Sequence, residues 1–308
     1  MTKVPTIKLN DDREIPQIGL GLWMVKDKAE FDRAFDAAVE TGYRHFDSAQ
    51  AYDNEQFLGA AWQKSGLKRD EIWLTTKINI ANFGHDKTLK SFDESLKKLQ
   101  TEYVDLLLLH FPMKNKLRDS WKALEEIHAA GKAKSIGVSN YTIDQLRDMK
   151  TYAKTMPAVN QVELHVFLQQ PELLQYCKEN NIAVEAYSPL AHGAVIAFQD
   201  NDVMKNIAGK YSKTPAQIML RWCVEKDLII LPKSVTPSRI RENFDVFDFS
   251  LDKDDMAQLA ELDKNLRTCW DPTTSPMSDG VKLSLKGATE LAKFGAQHVR
   301  DIKKVLKK

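Results

Sequence analysis

Residues 104–109, Val-Asp-Leu-Leu-Leu-Leu, form an apolar run of strand length that is followed directly by His110. After this run, large apolar residues recur at helical spacing from Trp121 to Ile127, and a second apolar run occupies residues 135–138. A short run that is apolar almost throughout is typical of a strand buried on both faces, as in a parallel sheet. This stretch therefore predicts two parallel strands joined by a helix.

The same alternation recurs along the chain. Helical patterns lie between the runs, and prolines stand near the starts of two of them, Thr214-Pro215 and Thr236-Pro237. Eight strands that alternate with helices favour a closed (β/α)8 TIM barrel, an α/β fold. The other apolar runs occupy residues 43–46, 72–76, 159–161, 182–186 and 228–231, with a weaker eighth candidate at residues 245–247.

An open, doubly wound sheet is the structural alternative, and it should open with a glycine-rich turn after the first strand. Residues 47–52, Asp-Ser-Ala-Gln-Ala-Tyr, contain no glycine, and Gly19-Leu20-Gly21 precedes the first helix–strand unit. We therefore favour the barrel. Two short runs at residues 6–9 and 14–18 flank turn residues and predict a hairpin that caps the N-terminal mouth of the barrel.

Composition excludes several classes of protein. The 308 residues carry 44 Lys and Arg against 43 Asp and Glu, and this balance argues against a dedicated nucleic-acid binder. Cys177, Cys223 and Cys269 are far apart, so they support neither a zinc site nor a disulfide framework. Residues 1–13 show no signal peptide, and no apolar run is long enough to span a membrane. We expect a monomeric cytoplasmic protein without membrane or nucleic-acid partners.

Polar residues follow several predicted strands at their C-terminal ends, where barrels of this type carry their catalytic groups. Asp47, Lys77 and His110 stand at three such ends, and Tyr52 comes five residues after Asp47. An ammonium group beside a tyrosine lowers its pKa from about 10. We expect Lys77 to do this for Tyr52, while Asp47 fixes Lys77 and His110 polarises a substrate oxygen.

The absence of nucleophile and metal-binding motifs narrows the class of reaction. No Gly-x-Ser-x-Gly nucleophile motif and no His-Glu-x-x-His metal motif occur in the sequence, and no metal is required by the proton chemistry. A proton donor that faces a carbonyl still needs a partner that attacks the carbon. Hydride from a nicotinamide cofactor fills that role.

With these residues in place, the chain resembles the aldo-keto reductases, above all microbial and protist members such as diketo-gluconate reductases and prostaglandin F synthases. The resemblance covers roughly Thr6 to Pro272. It implies a (β/α)8 barrel and an NADPH-dependent reductase of aldehydes or ketones, with keto-sugars and dicarbonyls among the candidate substrates. It assigns Tyr52 as the general acid and Asp47, Lys77 and His110 as the other members of a catalytic tetrad. The motifs that carry it are residues 42–55, 137–141, 160–165, 186–190 and 231–243.

The same resemblance implies the cofactor site. Cations and hydroxyls at a helix start suit the extra phosphate of NADPH, although use of NADH as well stays open and an ordinary charged helix start is the alternative. For Gln161, the alternative is a polar side chain satisfied within the barrel. The cofactor-binding residues are expected to be Gly21, Leu22, Trp23, Asp47, Ser139, Asn140, Gln161, Tyr187, Ser188, Leu190, Lys233, Ser234, Val235, Thr236, Arg239, Glu242 and Asn243.

For the small-molecule carbonyl substrate, we expect an apolar mouth with Phe83 as a further neighbour. Many relatives have an aromatic residue where this chain has Asn79, and a polar amide there should favour oxygen-rich substrates. The short loop at residues 112–119 should leave the site open. The substrate-binding residues are expected to be Trp23, Tyr52, Asn79, His110, Phe111 and Trp270.

We place the barrel domain at residues 1–272 and a basic amphipathic C-terminal tail at residues 273–308. Residues 281–308 carry a net charge of +6 against −5 for the rest of the chain, and their apolar residues predict an extra C-terminal helix. That helix either packs on the barrel or contacts a partner or an anionic surface. Two alternative functions are a reductase-like regulatory subunit that binds NADP(H) with little turnover, and a barrel hydrolase with paired carboxylates.

Overall fold

A computed structural model describes residues 4–113, 115–191, 201–269 and 271–272. Within these residues, eight parallel strands lie side by side in chain order, which is the order of a (β/α)8 barrel. The predicted barrel is therefore confirmed. The barrel strands are β3 (Leu20–Gly21), β4 (His45–Asp47), β5 (Trp73–Ile78), β6 (Val104–Leu109), β7 (Ala133–Ser139), β8 (Val159–Glu163), β9 (Ala183–Tyr187) and β10 (Ile229–Leu231).

The first barrel strand is not where the sequence placed it. Leu20 and Gly21 pair with Phe46 and Asp47. The first strand of the barrel therefore lies in the Gly19-Leu20-Gly21 segment, which comes before the first helix–strand unit predicted from the sequence. A parallel bridge from Ile18 to Ile230 then brings the first and last strands together. Two residues are too short a run for hydrophobic periodicity to reveal, and only the pairing identifies this strand.

The weaker eighth candidate, residues 245–247, is wrong. Its backbone carbonyls are used outside the sheet: Gln217 Nε2 donates to the Asp245 carbonyl at 2.9 Å, and Arg221 donates to the Val246 carbonyl at 3.1 Å. Val246 is fully buried by this packing. Two apolar residues after an aspartate, Val246 and Phe247, therefore fit a loop docked on a helix as well as a strand.

The predicted hairpin is confirmed as β1 (Thr6–Lys8) and β2 (Glu14–Pro16), which pair in an antiparallel register. Leu9 and Ile15 of this hairpin form one apolar cluster with Trp73, Val159 and Ile229, which are the first residues of three barrel strands. The hairpin thus plugs the N-terminal end of the barrel, as expected.

Helices surround the barrel, and local sequence explains where they begin and end. Thr142 and Thr214 accept backbone N–H groups at helix starts in capping boxes, and Gly42 ends the first helix in a left-handed conformation, φ +119°. The helices are α1 (Lys28–Thr41), α2 (Glu55–Lys64), α3 (His85–Leu99), α4 (Leu117–Ala129), α5 (Ile143–Met149), α6 (Pro171–Glu179), α7 (Asp202–Tyr211), α8 (Pro215–Glu225), α9 (Pro237–Phe244) and α10 (Lys253–Ala260).

Strand β6 shows how the core is divided. Leu107 and Leu109 belong to the large cluster between the strands and the helices, whereas Leu106 and Leu108 belong to the small cluster inside the barrel. Successive side chains of a strand point to opposite faces, so a run of leucines fills both layers. Its end leads directly to His110 at the C-terminal mouth, opposite the hairpin.

Some sequence predictions fall outside the described residues. These are Trp270 and the tail domain with its extra C-terminal helix at residues 273–308. In the parts of the chain that are described, no helix is both long and apolar enough to cross a membrane.

Candidate active site

The four residues expected to carry the chemistry lie together at the C-terminal end of the barrel. Asp47 closes β4, Lys77 lies in β5, and His110 follows β6. The Lys77 Nζ donates to Asp47 Oδ1 at 2.6 Å and to the Tyr52 hydroxyl at 3.2 Å, and also to the Ser48 carbonyl at 3.0 Å. One buried ammonium group thus joins the acid, the tyrosine and the backbone.

His110 faces the same tyrosine. The His110 and Tyr52 rings meet edge to face with their centroids 5.5 Å apart. The His110 backbone is held on both sides, since its N–H donates to the Ile78 carbonyl at 3.2 Å and its carbonyl accepts from Asn140 Nδ2 at 3.1 Å. The imidazole and the Tyr52 hydroxyl can therefore approach the same substrate oxygen.

Lys77 is fully buried, and its charge is balanced by its neighbours. Burial alone lowers the pKa of a lysine, but the Asp47 carboxylate and Tyr52 outweigh burial, so the pKa of Lys77 is raised above its ordinary value. The lysine therefore stays an ammonium at neutral pH.

Burial outweighs the expected effect of Lys77 on the pKa of Tyr52. Burial raises the pKa of Tyr52 to about 12, because desolvation outweighs the lowering effect of Lys77. A tyrosine that keeps its proton at neutral pH is suited to donate that proton. The Lys77 ammonium still favours the tyrosinate that proton donation leaves behind.

The imidazole of His110 is neutral. Burial, followed by the charge of Lys77, lowers the pKa of His110 to about 3. A neutral imidazole keeps one N–H, so His110 can donate a hydrogen bond to a carbonyl oxygen without being the proton source.

Four of the expected cofactor-binding residues, Ser139, Asn140, Gln161 and Tyr187, form a second connected group beside the tetrad. Asn140 has a left-handed backbone, φ +65°, and its Oδ1 accepts from the Tyr187 hydroxyl at 2.8 Å. Its Nδ2 donates to Ser139 Oγ at 3.1 Å, and Ser139 Oγ donates in turn to the backbone carbonyl of Gln161 at 2.9 Å. These hydrogen bonds hold the Asn140 amide and the Ser139 hydroxyl beside the Tyr187 ring.

Gln161 links this group to the tetrad. Its Nε2 donates to Asp47 Oδ2 at 3.0 Å and to Glu185 Oε2 at 2.6 Å. The alternative of a polar residue satisfied within the barrel is thus partly right, because the amide N–H groups are used internally. The carbonyl oxygen of the Gln161 side chain takes no part in these two hydrogen bonds.

A third group lies where β10 leads into α9. Lys233, Thr236 and Arg239 are exposed, and Ser234 Oγ accepts from the Thr236 backbone N–H at 3.1 Å. Exposed cations and hydroxyls at a helix N-terminus fit a phosphate group. The residues present therefore fit the phosphorylated end of NADPH, with the Asn140 group fitting its nicotinamide end.

The remaining cofactor candidates are placed as follows. Asn243 is buried, and Glu242 Oε1 already accepts from Thr214 Oγ1 at 2.7 Å, so one oxygen of this carboxylate is occupied. The rest lie near the strand ends: Gly21 and Leu22 on the first strand and just after it, Ser188 and Leu190 after β9, and Val235 after β10.

The substrate candidates differ in exposure. Trp23 is 36% exposed, whereas Phe111 is 3% exposed and Phe83 is fully buried, and both phenylalanines belong to the large core cluster. Phe83 is therefore core and not a pocket neighbour. The Asn79 Oδ1 accepts from the Ala81 backbone N–H at 3.0 Å, so this side chain also caps a short 3-10 turn.

Sequence reasoning missed three residues that build the site. Ser48 accepts from Lys77 through its carbonyl, and Gln50 Oε1 accepts from the backbone N–H of Asn79 at 2.9 Å. Glu185 is a charged residue inside the apolar run at residues 182–186. A charged side chain in a strand that is predicted to be buried indicates that it has a polar partner in the fold. Ser48 carried no such signal, because a backbone carbonyl does not depend on the side chain.

Within the described residues, no group of histidine, cysteine and carboxylate side chains is arranged to hold a metal ion.

Known proteins resemble the whole barrel. The model of the aldo/keto reductase family matches residues 17–264. The chain is 42% identical over 266 residues to a 9,11-endoperoxide prostaglandin H2 reductase of Trypanosoma cruzi, which covers 86% of this chain and 94% of that protein. It is 40% identical to a glyoxal reductase of Bacillus subtilis, over 87% of this chain and 96% of that one. An aldo-keto reductase of Bombyx mori, solved in complex with NADP, matches with a TM-score of 0.81 and 32% identity, over 87% of this chain and 95% of that one.

Proposed function

Because this chain belongs to the aldo/keto reductase family, we propose that it reduces aldehydes and ketones to alcohols with NADPH. The observation that carries the proposal is the Lys77 ammonium, which is fully buried between Asp47 at 2.6 Å and the Tyr52 hydroxyl at 3.2 Å. Placing a charge in a barrel interior is costly unless it is paired. Here the pairing leaves the charge beside a tyrosine that opens to the barrel mouth.

When bound, NADPH would supply a hydride for the carbonyl carbon. Tyr52 gives its proton to the carbonyl oxygen, so that hydride and proton together convert the carbonyl into an alcohol. The Lys77 ammonium stabilises the resulting tyrosinate, and Asp47 holds Lys77 in place. Neutral His110 donates a hydrogen bond to the same oxygen and orients it.

The cofactor rests on two groups of side chains. Ser139, Asn140 and the side-chain carbonyl oxygen of Gln161 would hold the carboxamide of the nicotinamide, and Tyr187 would contact its ring. The exposed Lys233 and Arg239 bind the extra phosphate that distinguishes NADPH from NADH. The silkworm relative that was solved with NADP supports this choice.

For the substrate we propose small, oxygen-rich carbonyls, with 1,2-dicarbonyls first and keto-sugars second. Asn79 provides a small polar side chain at the mouth, and the relative from Bacillus subtilis is a glyoxal reductase. A polar mouth can hydrogen-bond the second oxygen of a dicarbonyl, which a purely apolar mouth cannot.

The test of the chemistry is Tyr52→Phe. This variant should lose carbonyl reduction by about 10³-fold or more, the size of a general-acid contribution together with its loss of alignment, and it should bind NADPH nearly as well as the unaltered protein. Steady-state oxidation of NADPH with glyoxal, methylglyoxal and simple aldehydes measures the first effect, and fluorescence titration measures the second. Retained turnover would show that Tyr52 is not the acid.

The regulatory-subunit alternative predicts a different result in the same assay. It requires NADPH binding without NADPH oxidation across the whole carbonyl panel. The complete tetrad and the reductases among the relatives do not favour it.

The test of the substrate class is Asn79→Trp. A large apolar side chain should lower kcat/KM for glyoxal relative to benzaldehyde by several-fold, because it removes a polar contact and narrows the mouth. Asn79→Ser is the matched control, since serine keeps a small polar side chain that can cap the turn of Ile80–Asn82. An unchanged ratio of the two substrates in the tryptophan variant contradicts the role of Asn79.

The monomeric state and the cytoplasmic location stay predictions. Size-exclusion chromatography with light scattering tests the first, and fractionation of the source cells tests the second.

A further inference from the structure

A buried carboxyl group that the mechanism does not use lies under the tetrad. Glu185 stands in the middle of β9, two residues before Tyr187, and its side chain is fully buried. Its Oε2 accepts from the Gln161 Nε2 at 2.6 Å, and its Oε1 is 3.6 Å from His45 Nε2. A buried acid is costly to keep in a barrel interior, so a specific task is expected of it.

The contacts show what Glu185 does to Gln161. The two N–H groups of an amide are its only donors, and Gln161 directs its Nε2 toward both Asp47 and Glu185. Asp47 alone would leave the amide free to turn about one hydrogen bond. With Glu185 on the other side, the amide is held at two points and its carbonyl oxygen is presented as an acceptor.

We propose that Glu185 is a positioning residue for the nicotinamide: it fixes the Gln161 amide, and when it is ionised it favours the oxidised, cationic ring of NADP+ over the neutral ring of NADPH. This inference rests on the proposed function, because it assumes that the nicotinamide sits beside Gln161. It assigns Glu185 no proton transfer and no contact with the reacting atoms.

Compared with its neighbours Lys77, His45 and Tyr52, Glu185 has the pKa that lies nearest to neutral pH. Burial, followed by the charge of Asp47, raises the pKa of Glu185 to about 8. Lys77 faces it as an ammonium whose pKa is raised, and His45 is neutral because burial lowers its pKa to about 3. Tyr52, on the far side of Lys77, has a pKa raised to about 12 by burial.

The sign of the effect follows from these charges. Below about pH 8 Glu185 is neutral and gives no electrostatic preference between NADP+ and NADPH. Above about pH 8 it is negative and attracts the cationic ring of NADP+. The ratio of the two dissociation constants, Kd for NADP+ over Kd for NADPH, should therefore fall as pH rises. Groups that both forms share, including the extra phosphate, cancel in this ratio.

The experiment measures both dissociation constants by quenching of protein fluorescence from pH 6 to pH 9.5. In the unaltered protein the ratio should fall roughly five-fold across this range, the effect of one charge that acts on the ring without touching it. In Glu185→Gln the ratio should be constant, because glutamine keeps a polar contact with Gln161 but carries no charge. Glu185→Ala should weaken both forms and raise KM for NADPH more than it lowers kcat, because the Gln161 amide is then held only by Asp47.

Glu55→Gln is the matched control. Glu55 is another buried carboxyl whose pKa is raised by burial, but its Oε1 accepts from Thr76 and it does not contact Gln161. This variant should keep the pH dependence of the ratio. Melting temperatures of all variants show whether each is folded.

Two results overturn the inference: a ratio that does not change with pH in the unaltered protein, or one that changes equally in Glu185→Gln. The first needs no variant, so the inference stays testable even if Glu185→Gln does not fold. If the unaltered protein binds neither form of the cofactor, the proposed function itself fails, which is a separate outcome.

Discussion

At the scale of single residues, the chemistry depends on a contest between burial and charge. For Lys77, the neighbouring Asp47 outweighs burial, so the pKa is raised and the ammonium persists. For Tyr52, burial outweighs the effect of Lys77, so the pKa is raised and the phenol keeps its proton. For His110 burial and the nearby cation act in the same direction and leave a neutral ring. Each outcome suits a reduction in which Tyr52 gives the proton and His110 only orients the oxygen.

This assignment predicts how the reduction depends on pH. The rate constant of hydride transfer to the carbonyl should be constant from about pH 5 to pH 7, because the pKa of His110 is lowered to about 3 and that of Tyr52 is raised to about 12. Neither group changes its protonation within that range. Stopped-flow measurement of the hydride-transfer step on a fully soluble substrate checks this, and a limb centred near pH 6.5 would indicate a charged His110.

At the scale of elements, the ends of the barrel strands position the side chains of the candidate site, and the segments that follow the strands carry the proposed cofactor contacts. Strands β3 and β10 are only two and three residues long, yet they bring Gly21 beside Pro232 through a 3.1 Å backbone hydrogen bond. The chain after β10 then turns through Ser234 and Thr236 into α9. This places exposed cations at a helix start, close to the closure of the barrel.

The preference for NADPH should reside in that segment. Arg239→Ala should raise the Kd for NADPH by about ten-fold or more, because a hydrogen bond to a charged partner contributes about 1.5–3 kcal/mol, and should change the Kd for NADH little. Arg241→Ala is the control on the same helix, since Arg241 is exposed and lies 3.7 Å from Glu40 instead. Equal effects on the two cofactors would contradict this role for Arg239.

At the scale of the whole molecule, stability and chemistry occupy opposite ends of the barrel. The hairpin residues Leu9 and Ile15 pack under the strands at the N-terminal end, while the tetrad stands at the C-terminal end. Active sites of this fold occupy the C-terminal face, and the N-terminal face contributes stability. The two ends should therefore respond separately to substitution.

Ile15→Ala tests this separation. Ile15 is fully buried, so the variant should lose about 2–5 kcal/mol of unfolding free energy and keep the kcat of the folded enzyme. Ile7→Ala, at a partly buried position of the same hairpin, should cost less. Urea unfolding and steady-state kinetics measure the two effects, and a fall in kcat under conditions where the variant is folded would show that the hairpin supports the site.

The sequence by itself determined the alternation of strands and helices and the polar residues at the strand ends. These features are local, since hydrophobic period, capping residues and motif spacing can be read within short windows of the chain. That is why β6 was predicted with its exact bounds and why Asp47, Tyr52, Lys77 and His110 could be chosen as candidates.

Only the tertiary structure decided which short segment opens the barrel, why residues 245–247 form no strand, and which way the pKa of Tyr52 moves. It also showed that one amide joins Asp47 to Glu185, although Gln161 lies 114 residues from Asp47 in the chain. The physical reason is the same in each case: strand pairing, desolvation and buried hydrogen bonds depend on residues that become neighbours only when the barrel closes, and no window of sequence contains both partners.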